Sequence, residues 1–291
     1  MAHKAGFVNI IGSPNMGKST IMNAWLGEKL SIVTHKAQTT RHRILGIYND
    51  DDHQIVFSDT PGILEAKYTL QERMLDSVYS ALTDADVLVW VTDVFEKEVR
   101  NSDILDKVNQ LNVPVIVLVN KLDLAKQDRL VEIVEAWKER LTNAEILPVS
   151  ALHNMLVNEV LQKIKSHLPE NPPYYDKEDV SDRNIRFFVE EIVREKIFLH
   201  LEQEIPYCSQ VIVNEYKELR DKHHIEAYVV VERESQKAIM LGKEGSMIKR
   251  IGTEARRDIE KFIGNKVFLS LSIKVDKDWR NKEQKLKIYG Y

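Results

Sequence analysis

The residues best suited to chemistry form one run near the N-terminus, Gly12-Ser13-Pro14-Asn15-Met16-Gly17-Lys18-Ser19-Thr20. A glycine, four residues, then Gly-Lys-Ser is the spacing of a phosphate-binding loop. The glycines let the backbone curl until successive N–H groups point at one β-phosphate, and the start of the following helix favours the anion. Lys18 is placed to neutralise β- and γ-oxygens, and the Ser19 hydroxyl to ligate Mg2+. The context fits, because an apolar strand, Phe7–Ile11, precedes the loop and an amphipathic helix, Thr20–Leu26, follows it. A chance glycine turn would carry neither.

Further along, Asp59-Thr60-Pro61-Gly62 sits at the end of another predicted strand. Taken alone it is an ordinary turn sequence. After a phosphate loop it reads as the metal side of a nucleotide hydrolase, with Asp59 holding Mg2+ through water and the Gly62 N–H meeting a γ-phosphate. Asn120-Lys121-Leu122-Asp123 closes a third apolar strand. A carboxylate there accepts two hydrogen bonds from guanine, N1–H and the N2 amino group. Adenine lacks that amino group and would leave the carboxylate unpaired, a mismatch able to discriminate by roughly 10⁴-fold or more. Asn120 would tie this loop to the phosphate loop, and the Lys121 stem would lie over the base. Ser150-Ala151-Leu152 would offer a backbone N–H to guanine O6.

These motifs, in this order, resemble those of the translation-factor-like GTPases. The block Lys36-Ala37-Gln38-Thr39-Thr40-Arg41-His42-Arg43 is similar, more narrowly, to that of the Era GTPases. The resemblance implies hydrolysis of GTP to GDP and phosphate, with Mg2+ held by Ser19, Thr40 and Asp59. It makes Lys18, Thr40 and Gly62 the catalytic residues, with Thr39 as the alternate switch threonine. Nucleotide contacts are expected from residues 12–20, from Asp59 to Ile63, from Asn120 to Asp123, and from Ser150 and Ala151. One residue departs from the Ras pattern: Ile63 stands where Ras-like enzymes carry a water-orienting Gln. An alkyl side chain cannot align a nucleophile, so intrinsic turnover is expected to be slow unless an ion or a partner supplies that function. The resemblance offers K+ as that ion, through Asn15; the plain alternative is a side chain that merely stabilises the loop.

The elements needed to position these loops are legible. Strands are predicted at Phe7–Ile11, Ile44–Tyr48, Gln54–Ser58, Val87–Thr92, Val115–Val119 and Glu145–Pro148, and amphipathic helices at Leu70–Leu82, Ser102–Leu111, Leu130–Leu141 and Val157–Leu168. Such alternation predicts an α/β domain with a mostly parallel sheet and helices on both faces. The pair Ile44–Tyr48 and Gln54–Ser58 reads as an edge hairpin. Pro169-Glu-Asn-Pro-Pro173 and the acidic residues after it suit neither helix nor strand. The G domain is therefore expected over 1–170, a linker over 171–183 with the boundary near residue 175, and a second, α+β domain over 184–291.

That second domain reads helix (Asn184–Gln203), strands (Ser209–Tyr216, Ile225–Glu232), helix (Ser246–Ile263) and strand (Lys266–Val275). Gly242-Lys243-Glu244-Gly245 joins a strand-like segment to the second helix. A Gly-x-x-Gly turn lets the backbone approach single-stranded nucleotides, although alone it is as often a plain helix-initiating turn. The element order resembles a KH domain of the second type, and the helix carries Lys249, Arg250, Arg256 and Arg257. Glu244 in the turn is less welcome to phosphates.

Composition agrees. The chain has 291 residues, 43% hydrophobic and 30% charged, which suits two folded domains and excludes disorder. Its single cysteine, Cys208, excludes a disulfide framework, no run is long enough to span a bilayer, and no signal peptide is visible, so a cytoplasmic setting is expected. The net charge of −4 conceals an asymmetry: residues 236–291 hold 14 Lys/Arg against 7 Asp/Glu, leaving 27 against 38 in the first 235. A basic C-terminal segment suits a polyanion. The Era resemblance covers essentially the whole chain, including Arg186–Lys196, Glu204–Tyr207 and Trp279–Tyr291. It implies small-subunit (16S) ribosomal RNA near its 3′ end as ligand, a role in assembling the small ribosomal subunit, and a monomer. Family members also associate peripherally with the inner membrane, for which this sequence shows no amphipathic helix with a basic face. The rival readings are a GTPase switch whose C-terminal domain grips a protein or membrane, and an ATPase.

Overall fold

The computed structural model describes residues 2–96 and 102–291. The chain divides into two compact units, Met1–Lys67 with Gln71–Asp182, and Tyr68–Leu70 with Arg183–Tyr291.

In the first unit, strands β1 (Lys4–Ile11), β2 (Ile44–Asn49), β3 (His53–Asp59), β4 (Val87–Asp93), β5 (Val115–Asn120) and β6 (Ala144–Pro148) form a sheet in the order β2-β3-β1-β4-β5-β6. All neighbours are parallel except the β2–β3 pair, which forms the expected hairpin at one edge. The helices are α1 (Lys18–Leu26), α2 (Thr69–Thr83), α3 (Ser102–Asn109), α4 (Gln127–Arg140) and α5 (Val157–His167). Both sheet faces are covered, which is why β4 and β5 are apolar at nearly every position and buried throughout. Trp90 meets Trp137 of α4 on one face, with ring centroids 5.5 Å apart, and Phe57 stacks on Trp25 of α1 at 4.8 Å on the other.

Register decides what the sheet presents. Ile10 pairs with Asp59, Ile11 with Trp90, and Asp93 with Asn120. The carboxyl ends of β1, β3, β4 and β5 therefore emerge side by side, each feeding a loop, as ligand clefts of open α/β sheets require.

The Pro-rich stretch after α5 has neither helix nor strand, as read, but it does not hang free. Pro169 accepts from Ala5 N–H, Gln54 Oε1 accepts from the N–H groups of Tyr174 and Tyr175 at 2.6 and 3.0 Å, and Ile47 N–H donates to Val180 O at 3.0 Å. Residues 171–182 thus run along the hairpin and cover part of an edge that would otherwise leave strand N–H groups unpaired.

The second unit contains α6 (Ile185–His200), α7 (Ile205–Cys208), β7 (Gln210–Glu218), β8 (His223–Val231), α8 (Glu234–Leu241), α9 (Ser246–Ile263), β9 (Val267–Val275) and α10 (Glu283–Ile288). Asn184 caps α6 by accepting Phe187 N–H at 3.1 Å. The sheet runs β7-β8-β9, with β7–β8 antiparallel and β8–β9 parallel. A parallel pair needs a crossover, and α8 with α9 supplies it. Here the sequence reading requires correction: the segment before Gly242 is the helix α8, not a strand. Its start is fixed by Gln236, whose Oε1 accepts the N–H groups of Glu232 and Arg233 at 2.9 and 3.0 Å. Valine, isoleucine and leucine from both sheet and helices build one core, with Val193, Ile197, Val229, Ile251, Ala255 and Ile259 fully buried. The C-terminal residues, to which the sequence reading gave no element, fold back. Buried Trp279 donates Nε1–H to Cys208 O at 3.0 Å, and Tyr291 donates its hydroxyl to Gln210 at 2.6 Å. Among the described residues no helix is long and apolar enough to cross a membrane.

Candidate functional site

The loop Gly12–Gly17 leaves β1 and enters α1 through backbone that favours glycine. Gly12 has φ +140° and Gly17 φ +98°. A Cβ on Gly12 would lie 2.0 Å from Val91 O, and one on Gly17 2.1 Å from the Asn120 amide nitrogen, so no side chain fits at either place. Gly17 also has no side chain to cap α1, whose first N–H groups stay available to an anion. Lys18 is buried, and its ammonium donates to Gly12 O and Ser13 O, both at 3.0 Å. Burial pulls its pKa down to about 8, with Asp59 and Glu96 pulling the other way. The ammonium is held where a polyphosphate would pair it. Asn15, at φ +65°, donates its side-chain amide to His35 O at 2.9 Å, so it links this loop to the segment ahead of Thr40.

Three oxygens converge beside Lys18. Ser19 Oγ donates to Asp59 Oδ2 at 2.6 Å, lies 3.1 Å from Thr40 Oγ1, and Thr40 Oγ1 donates to Asp59 Oδ2 at 3.3 Å. Asp59 is fully buried; burial pushes its carboxyl up, opposed by Lys18 and by the hydroxyls around it. Its Oδ1 is buried with no hydrogen-bond partner among the described residues. Two hydroxyls, a carboxylate and an orphaned carboxylate oxygen are the hard-donor chemistry that Mg2+ takes, so the residues fit that ion. Thr40 is the threonine brought to this cluster, while Thr39 lines the same cleft without bonding to Ser19 or Asp59.

Thr60 anchors the Asp59–Ile63 turn by donating to Ile10 O at 2.7 Å. A Cβ on Gly62 would fall 2.7 Å from Pro14, so glycine is required for the turn to approach the phosphate loop. Ile63 N–H donates to Gly12 O at 3.0 Å, and its side chain is fully buried among Val78, Trp90 and their neighbours. It belongs to the core rather than to the cleft.

On the base side, Asn120 Nδ2–H donates to Met16 O at 2.8 Å, and Asn120 Oδ1 accepts Ala151 N–H at 3.0 Å. One buried amide thus fastens the phosphate loop, the end of β5 and the loop after β6. Asp123 Oδ1 accepts the Ser150 hydroxyl at 2.5 Å, which holds its carboxyl below the usual range and therefore ionised. His153 lies 3.6 Å from the other oxygen. Leu122 N–H donates to Val149 O at 3.0 Å. Of the Ser150–Leu152 stretch expected to offer a backbone N–H to guanine O6, Ala151 donates its own to Asn120 and Ser150 donates to Met155 O at 3.1 Å. Two further residues, not singled out from the sequence, hold the loops around this cleft. Asp93, at the end of β4, accepts Lys121 Nζ at 2.5 Å. Asn23 holds the chain at the entry to the switch segment, accepting the N–H groups of Leu30 and Ser31 at 3.0 Å each. A lone carboxylate ending an apolar strand was the available signal for Asp93; Asn23 gave none.

In the second unit the Gly-x-x-Gly turn lies between α8 and α9 with three residues in left-handed backbone: Gly242 (φ +70°), Glu244 (φ +53°) and Gly245 (φ +75°). Lys243 and Glu244 are exposed. The basic residues of α9 fall into two stripes seven residues apart, Lys249 with Arg256 and Arg250 with Arg257, all exposed. Arg250 and Arg256 bond to Glu254 and Glu260 one turn on, at 3.2 and 3.4 Å, whereas Lys249 and Arg257 have no acidic partner among the described residues. The residues predicted to contact nucleotide are therefore drawn together by direct bonds, and the predicted RNA residues lie in the other unit.

Comparison with known proteins gives a consistent picture. Residues 7–121 match the family described as 50S ribosome-binding GTPase, and residues 204–280 match the KH domain family. Over 292 residues the chain is 42% identical to the GTPase Era of Leuconostoc citreum (strain KM20), a match covering 99% of this chain and 96% of that protein. Its fold superimposes with a TM-score of 0.95, at 36% identity and 99% coverage of both chains, on a crystal structure of Era in complex with MgGDPNP and nucleotides 1506–1542 of 16S ribosomal RNA. The same score, identity and coverage are found for an Aquifex aeolicus Era variant bound to GDP·AlF4⁻.

Proposed function

The chain belongs to the Era family of GTPases, and from that premise we propose that it is a GTP-driven switch that binds the 3′ end of 16S ribosomal RNA and assists assembly of the small ribosomal subunit. As a GTPase it converts GTP to GDP and phosphate. The observation that carries the nucleotide assignment is the Asn120 side chain, bonded at once to Met16 O and Ala151 N–H, which sets a phosphate loop and a guanine-type carboxylate in one cleft.

In this reading Gly12–Thr20 wrap the β-phosphate, Lys18 leaves the loop carbonyls for β- and γ-oxygens, and Gly62 offers its N–H to the γ-phosphate. Ser19, Thr40 and Asp59 hold Mg2+, which when bound neutralises charge on the β- and γ-oxygens. Asp123 accepts guanine N1–H and N2–H, the Lys121 stem covers the ring, and guanine O6 shares the Ala151 N–H with Asn120. Ile63 is locked in the core and orients nothing, so turnover is slow until K+, through Asn15, or a partner organises the water. Rates compared in K+ and Na+ test the first route.

The 16S assignment rests on the chain-wide likeness to the RNA-bound Era, which outweighs the 50S description attached to a match over residues 7–121 alone. The Gly242–Gly245 turn and Lys249, Arg250, Arg256 and Arg257 are the residues we assign to RNA, and the protein acts in the cytoplasm, where subunits assemble. Two measurements test the whole. Asp123→Asn should shift preference from GTP toward XTP, because an amide donates to the C2 carbonyl of xanthine; an unchanged preference contradicts the base assignment. A 16S 3′-end RNA fragment should bind the wild-type chain and be lost on Gly245→Asp while GTP turnover persists. Retained RNA with that variant would favour a protein or membrane partner instead.

A further inference from the structure

The ion pair between Lys121 and Asp93 stands out because both ends are fixed by the protein's own backbone. Lys121 sits at the end of β5 in left-handed backbone, φ +62°, between Asn120 and Asp123. Its ammonium donates to Asp93 Oδ2 at 2.5 Å. Asp93 is itself immobilised: it is 3% exposed, and its Oδ1 accepts the N–H groups of Phe95 and Glu96, both at 2.9 Å. Register places Asp93 directly beside Asn120 across the β4–β5 ladder. A lysine stem is ordinarily a loose chain with several rotatable bonds, and ordering it opposes any contact it makes. Here the stem is held at the backbone and at the nitrogen, so its methylenes have few conformations left to them.

We propose that Asp93 is a positioning residue for guanine-nucleotide recognition, holding the Lys121 ammonium so that the lysine stem forms a pre-set surface for the purine ring. This rests on the base-site reading given above. Asp93 touches no nucleotide atom itself; it acts through Lys121, and its benefit is preorganisation, paid before binding rather than during it. The contact is with the ring face, so it serves guanine and hypoxanthine alike, whereas Asp123 reads the edge.

The test is a double-mutant cycle on the dissociation of fluorescent GDP from the full chain, using Asp93→Asn, Lys121→Met and the double variant. Asp93→Asn keeps Oδ1 for the Phe95 and Glu96 N–H groups and loses the ion pair; Lys121→Met keeps an apolar stem and loses the anchor. Each single change should speed GDP release about tenfold, about 1.4 kcal/mol, and the double variant should be no faster than either. IDP release should accelerate by the same factor. Additive effects, or a release rate unchanged in either single variant, overturn the proposal. Because Lys121 is partly exposed, Lys121→Met carries the test even if Asp93→Asn fails to fold. A failure of the base reading is told apart by Asp123→Asn: unchanged GDP-over-XDP preference there refutes the site assignment, while a shifted preference with an additive cycle refutes the role of Asp93 alone.

Discussion

Lys18 shows how a single buried charge can report on function. Its folded pKa of about 8 lies below the ordinary 10.5 because burial disfavours the ammonium. Between those values the unfolded chain keeps a proton that the folded chain has released, so stability of the ligand-free protein rises with pH across that window. Below about pH 8 the charged lysine costs the folded state about 3 kcal/mol, taking 1.36 kcal/mol per pKa unit. A bound polyphosphate relieves that cost by pairing the ammonium. The expected outcomes are a urea midpoint that climbs from pH 8 toward pH 10 without nucleotide, a flat profile over the same range for Lys18→Met, and GDP affinity that weakens above about pH 8 in calorimetry. A midpoint independent of pH in the wild-type chain would contradict the burial assigned to this lysine.

At the scale of elements, the Gly-x-x-Gly turn separates a folding requirement from a binding one. Both glycines have positive φ, yet a Cβ on Gly242 would come 2.8 Å from Met247 Cβ at the start of α9, while one on Gly245 meets nothing within 4 Å. Substitution at Gly242 therefore strains the α8–α9 junction as well as any surface it presents. Gly245→Asn, whose residue type tolerates left-handed backbone, should melt within a few degrees of the wild type. Gly242→Ala should lose about 1–3 kcal/mol in chemical denaturation, from strain at a forced close contact. Equal stabilities for the two variants would show that the junction relaxes freely. The same element scale explains why α8 escaped the sequence reading. Its apolar residues, Ala238–Leu241, run consecutively as in a short strand, its length is 8 residues, and its start depends on Gln236 reaching back to two backbone N–H groups, a bond with no hydrophobic periodicity.

For the whole molecule, a GTPase unit and a KH unit in one chain call for coupling between the ligands proposed for them. Coupling is reciprocal, so RNA must bind the GTP-loaded and GDP-loaded forms with different affinity if nucleotide state governs RNA. Titration of a 16S 3′-end fragment against both forms measures it, and equal affinities would leave two independent activities. RNA affinity should also fall with salt. Removing Lys249, which has no acidic partner among the described residues, should flatten the log–log slope by about 0.7. Removing Arg256, already paired with Glu260, should flatten it less.

The Gly12–Thr20 loop, the Asp59–Gly62 turn, the Asn120–Asp123 loop and the alternation of strands and helices could all be read from the sequence. Each depends on residue types at short, fixed spacings, and local backbone geometry enforces those spacings. The acidic and basic portions hidden in a net charge of −4 were equally legible. Tertiary structure alone decided the rest, because the deciding contacts join residues far apart in the chain. It brought Thr40 rather than Thr39 to Ser19 and Asp59, and it drew Ile63 into the core. It gave Asn120 its hold on Met16 across 104 positions and set Asp93 under Lys121 across 28. Which side chains meet at the strand ends follows from sheet order and register, and those are fixed by long-range packing that no local motif encodes.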